Sequence, residues 1–144
     1  MSDNRTLRVE ERNKQLVTMA FERWRNGTGG LFELLAPDVR WEIIGRAAVS
    51  GFYFGKESFM TEVIAPLSAR FVRPLVPTVR GLFADGDTVV ALFDAETVAL
   101  DELPYRNNYS WFLRFGDERI VDVVAFFDST AFNELWSRVT PESA

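Results

Sequence analysis

The sequence predicts an α+β domain in which helices at the start pack on one face of a curved, mostly antiparallel sheet, with a short helix at the end. Three observations predict it. Apolar residues recur at helical spacing up to about residue 68. From Phe71 onward the spacing changes to two, with turn signals between the extended segments. The 144 residues suffice for one hydrophobic core and are too few for two ordinary domains, so residues 1–144 are expected to form one unit with one site.

The elements follow in order. Arg5 to Asn26 reads as an amphipathic helix, because Val17, Ala20, Phe21 and Trp24 fall at i, i+3, i+4 and i+7, with Leu16 extending the stripe. Asn26-Gly27 supplies its C-cap. After Thr28-Gly29-Gly30, Leu31 to Ala36 reads as a short second helix stopped by Pro37, and a first strand runs from Val39 to Ile44. Gly45 to Gly55 holds three glycines and no helical period, which reads as a loop. Lys56 to Ser68 reads as a third helix with Phe59, Val63 and Leu67 on one side, ended or kinked by Pro66. A meander follows. Asp85-Gly86 joins a strand ending near Phe83 to one over Thr88–Ala99, another spans Tyr105–Phe115, and Gly116-Asp117 turns the chain into Arg119–Phe127. Asp128-Ser129 caps a last helix carrying Phe132, Leu135 and Trp136.

Composition excludes several chemistries. The chain has no Cys, which removes disulfides, thiolate metal sites and Cys nucleophiles, and no His, which removes the usual catalytic triad and zinc-binding His pairs. Any catalysis must rest on carboxylates, Tyr, Lys or Arg. No metal site and no cofactor are expected, since no acidic loop suits a hard cation and the glycines at 27, 29 and 30 do not form a phosphate cradle. A formal charge of −5 with dispersed basic residues argues against nucleic acid and anionic membranes. The polar, mixed-charge start lacks the apolar centre of a signal peptide, and no apolar run approaches a membrane span, so a cytoplasmic location is expected. In Ile120 to Phe127 one side carries Val121, Val123, Ala125 and Phe127 and the other Ile120, Asp122, Val124 and Phe126. Both sides are largely apolar, which leads us to expect a homodimer packed through the outer face.

Leu35-Ala36-Pro37-Asp38-Val39-Arg40-Trp41 followed by Gly51-Phe52-Tyr53-Phe54-Gly55-Lys56-Glu57 resembles the SnoaL-like members of the NTF2-like superfamily, which include ketosteroid isomerase-like proteins. Asp85 to Val90, Pro104 to Trp111, Arg119-Ile120-Val121 and Phe127-Asp128-Ser129 are similar to that family's meander and closing turn. The resemblance runs from the first helix to about Trp136. It implies a cone-shaped α+β barrel, commonly dimeric, of a kind that serves ketosteroid isomerases, polyketide cyclases, limonene-epoxide hydrolases and non-catalytic binders. Carried over residue by residue, the resemblance leaves most catalytic positions vacant. The isomerase acids fall at Ile43 and near Trp111. The epoxide-hydrolase positions fall at Trp41, Ile43, Leu92, Asp94 and Ala125, of which only Asp94 matches.

Two carboxylates remain as catalytic candidates. Asp94 and Glu96, at i and i+2 of one strand, share a face. If that face lines the interior, their mutual charge and the surrounding rings raise a pKa and supply a general base; if it is the outer face, Arg80 or Arg114 pairs with them. Asn107 and Tyr109 share a strand face with Tyr105 and Trp111. They either orient a ligand carbonyl or are satisfied within the core. Trp24, Trp41, Tyr53, Trp111 and Phe127 are the candidate aromatic walls for a small hydrophobic molecule. The favoured functional reading is a cofactor-independent isomerase, cyclase or hydrolase acting on a small apolar carbonyl or epoxide compound by carboxylate acid/base catalysis, and the alternative is a non-catalytic binding protein for a small hydrophobic metabolite. An assembly domain acting through its sheet is a third.

Overall fold

The structure is a computed structural model and describes residues 2–141. Helix α1 (Ser2–Asn26) buries Asn13, Val17, Ala20 and Phe21, one stripe at i, i+4, i+7 and i+8. It stops at Gly27, whose φ of 74° lets Thr28 N–H reach back to the Arg23 carbonyl at 2.9 Å.

A 3-10 turn (Leu31–Leu34) then leads directly into β1 (Leu35–Ile43). The expected second helix is thus one turn, and Pro37 lies inside the strand instead of stopping a helix. The strand tolerates it because pairing with its neighbour shifts register between Leu35 and Arg40. The segment read as a loop contains a further strand, β2 (Gly51–Phe54), paired antiparallel with β1. The next helical stretch is continuous but uneven: α2 (Lys56–Phe59), a π-helical turn (Met60–Ile64) and α3 (Ala65–Ser68). Pro66 stands at the start of α3, where its missing N–H costs least, so the helix is disturbed before the proline and is not ended by it.

Four strands complete the sheet: β3 (Val76–Asp85), β4 (Thr88–Val98), β5 (Pro104–Gly116) and β6 (Arg119–Phe127), followed by α4 (Ser129–Arg138). The order is β2-β1-β6-β5-β4-β3, antiparallel throughout except for β1 against β6. Register shifts in β3 between Val79 and Gly81, and in the β5–β6 pair between Arg114 and Phe115, mark where the sheet bends. The second shift also turns Ile120 inward, fully buried, where simple alternation sets it outside.

The helices cover one face, and the core lies between them and the sheet. Phe21 of α1 meets Phe93 of β4 edge-on, with ring centroids 4.9 Å apart. Phe132 of α4 packs on Phe127 at 4.9 Å. Arg70, buried just after α3, joins α3 to the chain end. Its guanidinium donates to the carbonyls of Pro66, Trp136 and Val139 and lies 3.7 Å from the Trp136 ring. Among the described residues, no helix is long and apolar enough to cross a membrane.

Candidate functional site

The β4–β5 hairpin decides which candidates meet. Val89, Ala91, Phe93, Ala95 and Thr97 of β4 are buried, as are Tyr105, Asn107, Tyr109, Trp111, Leu113 and Phe115 of β5. Asp94 and Glu96 belong to the other set. Asp94 stands opposite Asn108 and Glu96 opposite Arg106, on the outer face, with side-chain exposures of 45% and 66%. Of the two placements left open for these acids the outer one is found, with Arg80 beside Asp94, and the general-base role that required the inner one loses its basis, because a period-two strand that buries Phe93 and Ala95 must turn residues 94 and 96 outward. Asp94 accepts from Asn108 Nδ2 at 2.7 Å and lies 3.7 Å from Arg80, while Glu96 lies 3.2 Å from Arg106. Both line a groove of about 320 Å³ with Val76, Thr78, Ala95, Arg106, Asn107 and Asn108, so of the predicted site residues Asp94, Glu96 and Asn107 do meet there.

The aromatic candidates do converge. Trp41 and Trp111 meet edge to face at 5.2 Å, Trp24 lies parallel to Trp111 at 6.1 Å, and Trp111 reaches Tyr109 at 6.0 Å. Tyr109 continues to Phe127 at 5.5 Å. Tyr53 joins through Phe59, which stacks on Trp41 at 3.9 Å. The rings fill the middle of the cone by contact. Two residues that the sequence reading did not single out sit in this network: Phe93, between Phe21, Tyr109 and Trp111, and Phe32, between Trp41, Phe59 and Trp111. Phe93 was legible as the inward neighbour of Asp94. Phe32 was not, because its segment reads as a helix.

Asn107 is spent on structure. Its Nδ2 donates to the Tyr105 hydroxyl at 2.8 Å and the Asp128 carbonyl at 3.0 Å, and its Oδ1 accepts from the backbone N–H of Asn108 and Asp128. The side chain thereby ties the start of β5 to the junction where β6 ends and α4 begins. Asp128 caps α4 by accepting from Thr130 N–H at 3.0 Å. The Tyr105 and Tyr109 hydroxyls lie 2.8 Å apart. Burial pushes the Tyr109 phenol well above its ordinary value, and its neighbour Tyr105 adds to the rise. Tyr105 is also raised by burial, with its hydrogen bonds to Tyr109 and Asn107 opposing. Other inward polar groups include Thr97, whose hydroxyl donates to the Arg73 carbonyl at 2.8 Å, Trp24 Nε1, which donates to the Leu75 carbonyl at 2.9 Å, and Tyr53, whose hydroxyl donates to the Val49 carbonyl at 2.5 Å. Trp41 Nε1 and, on α1, Asn13 Nδ2 are buried without a hydrogen-bond partner among the described residues.

These rings are reached at more than one place. Tyr109 and Phe127 line a groove of about 410 Å³ with Leu92, Asn108, Ser110 and Asp128. Between the end of α1 and the 3-10 turn lies a cleft of about 350 Å³, lined by Trp24, Gly29, Gly30, Leu31, Phe32 and Glu33. Its rim is held by Glu33, which accepts from Gly30 N–H at 2.9 Å and lies 3.5 Å from Arg23. The Gly30 hydrogen bond, with help from Arg23, lowers the Glu33 pKa. Among the described residues, no three acidic side chains gather as a metal site would require.

No model of a known protein family and no curated protein sequence matches the chain. Solved structures do match in fold. An NTF2-like protein of unknown function from Burkholderia pseudomallei superposes with a TM-score of 0.72 at 20% identity, over 88% of this chain and 98% of that one. TerC, co-crystallised with polyporic acid, gives 0.69 at 20% identity over 88% and 98%. A protein named as a SnoaL-like polyketide cyclase from Jannaschia gives 0.68 at 18% identity over 87% and 94%.

Proposed function

Taking the NTF2-like fold as the premise, we propose that this protein binds a small, flat, apolar molecule without transforming it, in the cleft between the end of α1 and the 3-10 turn. The observation that carries the reading is the outward orientation of Asp94 and Glu96. Without them, the described side chains that line the cleft include one carboxylate, Glu33, which is held at the rim by Gly30 N–H and Arg23, so no free proton-transfer group faces the rings there. The cleft's apolar lining supports a hydrophobic ligand. The co-crystal of a protein of similar fold with polyporic acid supports small-molecule binding by this architecture. A thermal-shift screen of apolar compounds tests it, followed by mass spectrometry of the recovered ligand. Unchanged ligand is expected, and a chemically altered one contradicts the reading.

One observation favours catalysis instead, as a cofactor-independent isomerase, cyclase or hydrolase. The Tyr105–Tyr109 pair shares a single hydrogen bond, leaving one hydroxyl hydrogen for a further acceptor in a buried setting. Such a donor can polarise a carbonyl. Altered ligand in the same screen selects this reading.

The outer face supports self-association. Phe83, Val90, Phe112 and Val124 lie in one register row across four strands, with Leu92 and Phe126 in the next row. Phe83, Phe112 and Phe126 are 59%, 42% and 48% exposed. Both flanks carry charges of both signs, Arg40, Asp122 and Arg114 on one side and Arg80, Asp94, Glu96 and Arg106 on the other. A second copy related by a twofold axis matches such a face with itself. Light scattering at micromolar concentration is expected to give twice the 16.4 kDa chain mass, and the Phe112→Asp, Phe126→Asp variant half of that. A wild-type monomer overturns the dimer.

A further inference from the structure

The last turn of α1 carries a reactive pair outside the ring interior. Asn26 is exposed, and its side-chain amide meets no partner among the described residues, so it can turn toward the chain that follows. Gly27 comes next, at a φ of 74°, and a Cβ placed on it would meet nothing within 4 Å, so the approach to its backbone nitrogen is unshielded. The Gly27 N–H donates to the Trp24 carbonyl at 3.1 Å, a bond of the terminal turn, where opening costs least. None of the other five asparagines precedes a glycine. The comparable pair Asp85-Gly86 is locked in a hairpin, with Gly86 N–H held by Glu10 at 2.7 Å.

We propose that Asn26 is a self-modification site, converted without an enzyme to aspartate and isoaspartate, and that the carboxylate so formed loosens the rim of the cleft. The Gly27 nitrogen gives its proton to hydroxide and attacks the Asn26 Cγ. The new N–C bond closes a cyclic imide, and the side-chain nitrogen leaves as ammonia, taking its proton from water. Water then opens the imide: cleavage at Cγ restores the ordinary backbone with aspartate, and cleavage at the backbone carbonyl carbon leaves isoaspartate. Either product sets a negative charge at the carbonyl end of α1, where the helix dipole disfavours it. Arg23 stands three residues earlier on the same helix, a spacing at which side chains meet, and lies 3.5 Å from Glu33 at the rim. The new carboxylate therefore competes with Glu33 for Arg23. The site stays open in a dimer formed through the outer face, because α1 packs on the inner one. The inference stands whether or not the cleft holds a ligand.

Peptide mapping by mass spectrometry tests the chemistry, on full-length protein kept in mildly alkaline buffer made with heavy-oxygen water. The Asn26 peptide is expected to gain the mass that separates a carboxylic acid from its amide, with the oxygen label, several-fold faster than any peptide carrying another asparagine. Asn26→Gln, whose longer side chain must close a larger ring, should abolish the gain, and the exposed position keeps the fold intact. An Asn26 rate no higher than that of Asn133 overturns the modification site. Hydrogen exchange tests the consequence. Asn26→Asp is expected to speed exchange at the Gly30 amide, which Glu33 holds, several-fold in the wild-type background and not at all in Arg23→Gln. Equal acceleration in both backgrounds, or none in either, overturns the link from residue 26 to the rim.

Discussion

Phe93 and Asp94 are adjacent in the chain and lie on opposite sides of β4, one fully buried among rings and the other 45% exposed beside Arg80 and Asn108. The contrast repeats along the hairpin. Inside stand Ala95, Asn107, Tyr109 and Trp111; outside stand Glu96, Arg106, Asn108 and Ser110. On the inner face each side chain depends on its neighbours' volume and on complete hydrogen bonding, because no water compensates a loss. On the outer face solvent does compensate, and charges are worth little. Chemistry that needs a perturbed group therefore has to come from the inner face.

The largest effect expected from this difference is at Phe93. Phe93→Ala removes the ring that Phe21, Trp24, Tyr109 and Trp111 all pack against, and should cost about 3–5 kcal/mol in denaturant unfolding. A cost below about 1 kcal/mol would mean that the interior is not packed as described.

Asn107→Ala comes next. It strips acceptors from two backbone N–H groups and a donor from the Asp128 carbonyl at the β6–α4 junction, so about 2–3 kcal/mol is expected. Hydrogen exchange should accelerate first at Asn108 and Asp128. Uniform acceleration over the whole sheet would show that Asn107 is not a local tie.

The tyrosine pair gives a pH-dependent version of the same test. Tyr105 and Tyr109 both have folded-state pKa values raised above 10.0, chiefly by burial. Above pH 10 the unfolded chain releases these protons while the folded chain keeps them, so the unfolded state binds fewer protons and stability falls with rising pH. Below pH 10 the contribution is complete. Each tyrosine contributes a slope of up to about 1.4 kcal/mol per pH unit. Melting temperature should hold steady to about pH 9 and decline beyond 10, and the Tyr105→Phe, Tyr109→Phe variant should decline less steeply. Parallel curves for the two proteins would show that the phenols titrate in solvent.

Much of this arrangement was legible beforehand. The change of period near Phe71 announced the meander, Asp85-Gly86 its first hairpin, and the rings at 24, 41, 53, 109, 111 and 127 do share one interior. β2 was missed because it is only four residues long, Gly51–Phe54, with a glycine at its start and another just beyond its end, and its pairing comes from β1 and not from its own propensity. The face of Asp94 and Glu96 was open because alternation says which residues share a side without saying which side is inside. Comparing the two sets decides it: 89, 91, 93, 95 and 97 carry no charge, whereas the set with 94 and 96 carries two. What no pattern in the chain expresses is that Asn107 is consumed by backbone groups on another strand, or that Trp41 lacks an acceptor. Both depend on contacts between segments distant in sequence.

The smallest effect is expected at the carboxylates. Asp94→Asn keeps the shape that meets Asn108 and removes the charge facing Arg80; Glu96→Gln does the same opposite Arg106. Exposed pairs of this kind are worth at most about 1 kcal/mol and are weakened further by salt. The double variant should therefore unfold within about 1 kcal/mol of wild type and bind an apolar ligand with unchanged affinity, because a full sheet thickness separates residues 94 and 96 from the cleft side. If turnover of any recovered ligand is lost in this variant while stability is kept, the outer groove holds chemistry, and the division of labour between the two faces drawn from Phe93 and Asp94 is wrong.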